Sequence, residues 1–102
     1  MTFSEKVYSL CRKIPLGKVT TYKEIATALN TEAYRAVGQA LKCNPYAPQV
    51  PCHRVVSSNG GIGGFKGKMT GKEIIQKQQL LESEGVIVND GKIDLDNYFF
   101  NY

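Results

Sequence analysis

The sequence has few of the features on which membrane, disulfide-rich and metal-binding proteins depend. No apolar run approaches the ~18 residues that a membrane helix needs, and the N-terminus carries no basic-plus-apolar leader. We therefore expect no membrane partner and a cytoplasmic location, or a nuclear one in a eukaryote. The three cysteines and one histidine include no CxxC pair and fit neither a disulfide framework nor a zinc site. We accordingly expect no bound metal.

The composition is that of one small globular domain with an uneven charge. Its 102 residues are 42% hydrophobic and 22% charged, which disfavours disorder. We expect a single domain over residues 1–102, with Met1 leading straight into the first helix and no preceding domain. Residues 1–60 hold 8 Lys and Arg against 3 Asp and Glu, a net +5, whereas residues 61–102 hold 5 against 6, a net −1. The basic first part favours a polyanion as partner, although many small basic domains bind none.

Threonine followed three residues later by glutamate marks three helix starts. Each pair can form a capping box, in which both side chains satisfy free amides of the first turn. The pairs are Thr2 and Glu5, Thr21 and Glu24, and Thr70 and Glu73. Together with apolar spacing they predict helices over residues 3–13, 22–29, 32–42 and 71–84. The inward stripe of the first helix is predicted to be Phe3, Val7, Leu10 and Ile14.

Two features predict a small β component. Val55 and Val56 favour a short buried strand, and Asp90–Gly91 between two β-prone runs favours a hairpin. The second and third helices, joined by a tight break at Asn30–Thr31, are typical of a helix-turn-helix. The predicted fold is therefore mainly α with a small β element, a winged-helix (helix-turn-helix) domain with a short C-terminal β-hairpin.

The third helix has two contrasting faces. Its predicted core face is Ala33, Ala36, Val37, Ala40 and Leu41, and its opposite face is Arg35, Gly38, Gln39 and Lys42. Two cations, an amide and a glycine suit contact with a nucleic-acid backbone. An ordinary solvated face is the alternative. The basic first part and the short turn favour a recognition helix.

The long irregular segment after this helix contains the run "PCHRVV", residues 51–56. About twenty irregular residues are costly in so small a domain unless the loop has a function. A thiol reacts as its thiolate, so Cys52 needs a base, and His53 is the only imidazole available. If the pair lies in a turn, a water can bridge the two side chains. The alternative is a buried structural cysteine beside a surface histidine.

Glu84 offers a third member for this pair. It shares a stripe of the last helix with Ile74, Lys77 and Leu81. At a helix C-terminus the dipole disfavours a negative charge, so the carboxylate needs a partner, and an imidazole can serve. A surface interaction with Lys77 or plain solvent exposure is equally compatible with the pattern.

Several runs in order resemble one family over nearly the whole chain. "PCHRVV" resembles the active-site motif of the O6-alkylguanine-DNA alkyltransferases, also called methylated-DNA–protein-cysteine methyltransferases. "GKVTTYKEIA" (17–26) is similar to their first helix-turn-helix element and "RAVGQAL" (35–41) to their recognition helix. "NP" (44–45) resembles their hinge and "KQQLLESEG" (77–85) their closing helix.

The resemblance implies a direct, stoichiometric repair of DNA. Cys52 would accept the alkyl group from O6-alkylguanine, His53 would deprotonate it through a water, and Glu84 would orient the histidine. Tyr22 would donate a proton or hydrogen bond to the departing guanine, and Asn44 would brace the turn before the active-site loop. The thioether formed is stable, which implies one turnover per molecule and no cofactor.

The resemblance also implies how DNA is held. Arg35 would intercalate and fill the space of an extruded nucleotide, with Thr21, Gly38, Gln39 and Lys42 as further DNA contacts. Val55 and Val56, beneath the site, and Phe65 would form the substrate pocket. The expected partner is double-stranded DNA containing O6-alkylguanine, bound by a monomer.

Two departures and three alternatives accompany this interpretation. Phe65 stands where many relatives have a tyrosine, so a hydroxyl near the alkylated oxygen is missing, and relatives usually carry an additional N-terminal domain. Lys66 and Lys68 either reach DNA phosphate or are solvated. The main alternative is an alkyltransferase-like protein that binds alkylated DNA without transfer, although relatives of that type tend to lack the cysteine. A winged-helix regulator and a cysteine hydrolase are weaker alternatives.

Overall fold

The computed structural model describes residues Met1–Tyr102 and has mostly α-helical structure with four short strands. The helices are α1 (Phe3–Arg12), α2 (Tyr22–Ala28), α3 (Tyr34–Lys42), α4 (Lys72–Ser83) and α5 (Leu95–Tyr98). The strands are β1 (Thr20–Thr21), β2 (Val55–Val56), β3 (Val88–Asn89) and β4 (Lys92–Ile93), and a 3-10 turn spans Cys52–Arg54. None of the helices combines the length and apolar character needed to cross a bilayer.

The predicted capping boxes differ in outcome. The first is confirmed, because Thr2 and Glu5 exchange backbone-to-side-chain hydrogen bonds of 3.1 Å in both directions. In the second, Thr21 Oγ1 accepts from the amide of Glu24 at 3.0 Å, but no reciprocal bond forms. The third is wrong. The residue at the N-terminal cap of α4 is Gly71, with a φ of 89°, and it has no side chain that could accept a hydrogen bond from the first turn.

The larger of two cores lies where α1, α2 and α3 meet the Cys52 segment. Val7, Ile25, Val37 and Val55 are all fully buried within it. The predicted stripe of α1 is wrong at Phe3, which is 37% exposed, because the buried part of the helix begins only at Val7, one turn further along. Ala33 and Ala36 are also exposed, since α3 starts only at Tyr34 and turns Val37, Ala40 and Leu41 inward.

The β component is paired in a way that joins distant parts of the chain. β1 pairs in parallel with β2, with Thr20 opposite Val55, and this pairing was not predicted. β1 runs directly into α2 and β2 follows directly on the Cys52–Arg54 turn, so the pairing sets the start of α2 beside that turn. The predicted hairpin is confirmed: β3 and β4 are antiparallel, and Asp90 and Gly91 both have the positive φ that a tight hairpin turn requires.

The C-terminal segment returns to lie beside β1, and this contact was not predicted. α5 is one short turn capped by Asp94, too brief to give a periodic signal. After it, the amide of Phe100 donates to the carbonyl of Val19 at 2.7 Å, and Thr20 Oγ1 donates to the carbonyl of Phe100 at 2.8 Å. The tail therefore lies alongside β1. At its end, Tyr102 contacts two helices: its amide donates to Glu24 Oε2 of α2 at 3.2 Å, and its hydroxyl donates to the carbonyl of Leu10 of α1 at 2.7 Å.

Candidate active site

The Cys52–Arg54 turn is the centre of the site. Asn44 shapes the loop before it, because its Nδ2 donates to the carbonyl of Val50 at 2.9 Å and its Oδ1 accepts from the amide of Tyr46 at 2.9 Å. The turn is 3-10 helical, so neighbouring side chains point about a third of a circle apart. Cys52 lines a cavity, while His53 and Arg54 both contact Glu84.

Glu84 is the anchor of three hydrogen bonds. His53 Nε2 lies 3.0 Å from Glu84 Oε2, and Arg54 binds the carboxylate in bidentate fashion, with Nε 2.8 Å from Oε1 and Nη2 2.8 Å from Oε2. Arg54 Nη1 also donates to the carbonyl of Ile14 at 2.9 Å. The predicted partner of the carboxylate is thus present. Arg54 was not predicted as a partner of Glu84. Its position directly after His53, in a predicted turn, is the sequence signal that could have indicated it.

The charges of this network follow from its contacts. Burial alone would raise the pKa of Glu84, but hydrogen bonds from Arg54 and His53 outweigh it and hold the pKa below the ordinary value. Burial lowers the pKa of His53, and the hydrogen bond and charge of Glu84 offset only part of that effect. Glu84 is therefore a carboxylate and His53 a neutral imidazole near pH 7. With Nε2 facing Glu84, Nδ1 is the nitrogen left to accept a proton.

Cys52 faces a cavity of about 410 Å³. Its walls include Tyr22 at the start of α2, the segment Gly63–Phe65 and Leu41 of α3. A Cβ on Gly63 would lie 3.2 Å from the Tyr22 hydroxyl, and its φ of 74° also suits glycine, so this residue lets the phenol approach the wall. Burial, with a smaller contribution from Cys52, raises the pKa of Tyr22 to about 12. Its hydroxyl is therefore a proton donor at neutral pH.

The mouth of the cavity is basic. Arg35 and Lys42 of α3 and Lys66 and Lys68 of the following loop all line it and are all exposed; we call these four residues the cationic rim. The loop folds back on itself through paired hydrogen bonds between Phe65 and Lys68. Of the other predicted DNA contacts, Gly38 also lines the cavity, and Gln39 is exposed on the same helix.

Three predicted site residues are placed differently. Val55 and Val56 are fully buried in the cores and do not line the cavity, because β2 pairs with β1 behind the turn. Thr21 is only 4% exposed, since it belongs to β1 and its hydroxyl caps α2, which leaves it little surface for DNA. Phe65 does line the cavity.

The alternative of a surface interaction between Lys77 and Glu84 is wrong. Its side chain is fully buried, and its ammonium contacts three backbone carbonyls instead of a carboxylate. No group of three or more His, Cys, Asp or Glu side chains is placed to hold a metal ion.

The sequence and the fold match one family of DNA-repair proteins. Residues 2–86 match the family described as 6-O-methylguanine DNA methyltransferase, DNA binding domain, and the chain belongs to this family, as its motifs predicted. The methylated-DNA–protein-cysteine methyltransferase of Metallosphaera sedula is 46% identical over 87 residues, which cover 85% of this chain and 51% of that protein. The chain spans about half the length of such curated relatives.

Two solved structures show the same fold. S. pombe Atl1, in complex with damaged DNA containing O6-carboxymethylguanine, gives a TM-score of 0.85 at 36% identity and covers 98% of this chain and 95% of its own. The O6-methylguanine-DNA methyltransferase of Pyrococcus kodakaraensis gives 0.72 at 46% identity, over 84% of this chain and 47% of its own. Two proteins therefore share this fold with the chain: one was crystallised with alkylated DNA, and the other is a methyltransferase.

Proposed function

We propose that this protein repairs DNA by moving an alkyl group from O6 of guanine to Cys52 Sγ, once per molecule. The observation that carries the proposal is the position of Cys52. It opens on a cavity beneath a cationic rim, while the next residue, His53, is held by Glu84 on the other side of the turn. A thiol, an imidazole and a group of exposed cations therefore lie at one place, which supports a nucleophile, a base and a surface for a polyanion.

The first step is capture of the damaged base. The O6 substituent is out of reach inside a stacked duplex, so the nucleotide must be extruded, at a cost of a few kcal/mol. α2 and α3 act as a helix-turn-helix, α3 lies against the duplex, and the β3–β4 hairpin acts as a wing. Arg35 fills the gap in the stack, and Lys42, Lys66 and Lys68 bind phosphates as the extruded base enters the cavity.

The second step is the transfer itself. His53 Nδ1 takes the thiol proton through a water, and the imidazolium is stabilised by Glu84. The thiolate attacks the alkyl carbon, so an S–C bond forms as the C–O bond breaks. The electron pair stays on guanine. Tyr22 either stabilises this anion with a hydrogen bond or neutralises it by donating its hydroxyl proton, and in the second case the proton taken up by His53 is available to restore the phenol through solvent. The carbon moves directly between two nucleophilic atoms, so the step uses no cofactor.

A second candidate function is recognition of alkylated DNA without transfer. It is favoured by the likeness to S. pombe Atl1, which extends over nearly the full length of both chains. The thiol at position 52 and the held imidazole beside it favour transfer, because a protein that only binds the lesion needs neither group. Both functions place the extruded base in the same cavity.

Intact mass separates the two functions. The protein is incubated with a duplex containing one O6-methylguanine, and with the same duplex containing guanine, before mass analysis. We expect a gain of one methyl group, located on Cys52 by peptide mass, only with the damaged duplex, and no gain for Cys52→Ala. Tight binding of the damaged duplex with unchanged mass would overturn transfer in favour of recognition. Equal binding of both duplexes together with unchanged mass would overturn both functions.

A further inference from the structure

Lys77 is the most deeply buried charged side chain of the protein. It lies on α4, has no exposed surface, and points its Nζ at three backbone carbonyls. The distances are 2.8 Å to Val55, 2.6 Å to Ile62 and 3.0 Å to Gly64. No carboxylate contacts it, since Glu84, on the same stripe, is bound by Arg54 and His53. The mechanism described above does not use this residue.

The three acceptors match the three N–H groups of an ammonium. A buried amine without partners would be strongly destabilising, and each carbonyl offsets part of that cost. Burial lowers the pKa of Lys77 to about 7, and a negative charge on Cys52 works in the opposite direction. An apolar side chain of similar length would avoid the burial cost. What the lysine adds is a set of three directed bonds.

These bonds connect the two sides of the cavity. Val55 belongs to β2, one residue after the turn that carries Cys52. Ile62 and Gly64 flank Gly63, and we call residues 62–65 the glycine wall, of which Gly63, Gly64 and Phe65 line the cavity. The wall contains no helix or strand. Lys77 is therefore the side chain that joins the wall to the strand behind the nucleophile.

We propose that Lys77 is a positioning residue that fixes the glycine wall relative to Cys52, so that a base held in the cavity presents its alkyl carbon in line with the thiol. The proposal rests on the proposed function. In-line attack tolerates little displacement, and a shift of about 1 Å can reduce a rate about 100-fold. The two ends of the wall are held independently of Lys77, because the amide of Ile62 donates to the carbonyl of Gly91 at 2.8 Å and Phe65 is buried in the larger core. Between them, Gly63 and Gly64 give the backbone wide freedom, and Lys77 restricts it through the carbonyls of Ile62 and Gly64.

The test compares Lys77→Met with Lys72→Met, which removes the same charge from the exposed first residue of α4. Two reactions of Cys52 are followed by peptide mass: methyl transfer from damaged duplex, and alkylation by iodoacetamide, which needs no seated base. For Lys77→Met we expect transfer to fall about 100-fold while iodoacetamide alkylation changes less than about twofold. Lys72→Met should match the wild type in both.

Amide hydrogen exchange reports on the wall without any chemistry. In free protein, Lys77→Met should exchange faster at residues 62–65 than wild type or Lys72→Met, with α1 and α2 unchanged. Equal exchange at the wall would overturn the inference, and so would transfer within twofold of wild type. A parallel fall in both reactions with faster exchange throughout would show a merely structural role and also overturn it.

A rescue experiment covers the case in which Lys77→Met folds poorly. Lys77→Ala leaves a space for a small ammonium ion, so ethylammonium chloride should restore transfer severalfold, whereas sodium chloride at equal ionic strength should not. Failure of rescue with a folded variant would contradict the proposal. If wild-type protein transfers no methyl group, the proposed function fails, and the exchange measurement still decides the role of Lys77.

Discussion

The two sides of the Cys52–Arg54 turn are built from different contacts. On the back, His53 and Arg54 make three charged or polar bonds of 2.8 to 3.0 Å to Glu84. On the front, Cys52 faces a cavity bounded by Tyr22 and the glycine wall. The back has fixed charge and little space, whereas the front has space, and its charge lies at the exposed cationic rim.

This difference separates two requirements of an alkyl acceptor. A base works best when a fixed partner sets its tautomer and its charge, which the back provides. A substrate that must enter and be seated needs an open cavity, which the front provides. Because Cys52 and His53 are adjacent residues of one turn, the turn fixes the thiol and the base relative to each other. Single substitutions can disturb the two sides one at a time.

Glu84→Gln should have the largest effect. It removes the negative charge that stabilises the His53 imidazolium, and it removes the carboxylate that Arg54 binds with two hydrogen bonds. We expect the single-turnover transfer rate to fall about 10²- to 10³-fold. Binding of damaged duplex should change little, since the front is untouched. Asp94→Asn, which alters a carboxylate capping the short α5, is the control. A matching loss of binding and rate would mean that Glu84 shapes the cavity as well.

The same substitution should lower stability in a pH-dependent way. Glu84 has a pKa lowered from 4.5, so its contribution is fully present above that value and is lost as pH falls through the lower, folded-state pKa. The variant should be less stable by about 2 kcal/mol at pH 7. Urea unfolding at pH 7 and at pH 3 should show the two proteins converging in acid.

The pH profile of transfer should report the back of the turn. The folded-state pKa of His53 lies below 6.5, so the neutral base persists as pH falls to that value. We expect the plateau to extend to pH 6.5 and below, and a decline that approaches about tenfold per pH unit only at lower pH, once His53 becomes protonated. Tyr22, with a pKa of about 12, stays protonated throughout. Single-turnover rates at constant ionic strength test this, and a midpoint above pH 6.5 would contradict it.

Arg35→Ala should affect duplex substrate and spare a small one. If Arg35 stabilises the extruded state, its loss should slow transfer from duplex about tenfold, equivalent to about 1.4 kcal/mol. Transfer from a free O6-alkylguanine base, which needs no extrusion, should change less than twofold. Lys23→Ala, an exposed cation of α2 outside the cavity lining, is the control. Equal losses with both substrates would remove Arg35 from this role.

The sequence predicted the local parts of this architecture better than the contacts between distant parts. Helix starts, the Asp90–Gly91 turn and the Cys52–His53 pair depend on neighbouring residues, so their patterns are visible in the chain. The partners of Lys77 are backbone carbonyls 13 to 22 positions away, which carry no residue-specific signal. β1 was missed because two residues cannot show alternation. The pairing of β1 with β2 also explains why Val55 and Val56 lie behind the site.

Phe65→Tyr should have the smallest effect and acts on the front alone. Phe65 lines the cavity and is 5% exposed, so an added hydroxyl would enter a site whose existing phenols are Tyr22 and Tyr34. A hydrogen bond to the departing O6 would raise the transfer rate about threefold. The decline of the rate at low pH should not move, because it is set by His53 on the back of the turn. Phe65→Leu keeps an apolar wall without the hydroxyl and should give no increase. A slower Phe65→Tyr variant would mean that the ring edge does not point toward the seated base.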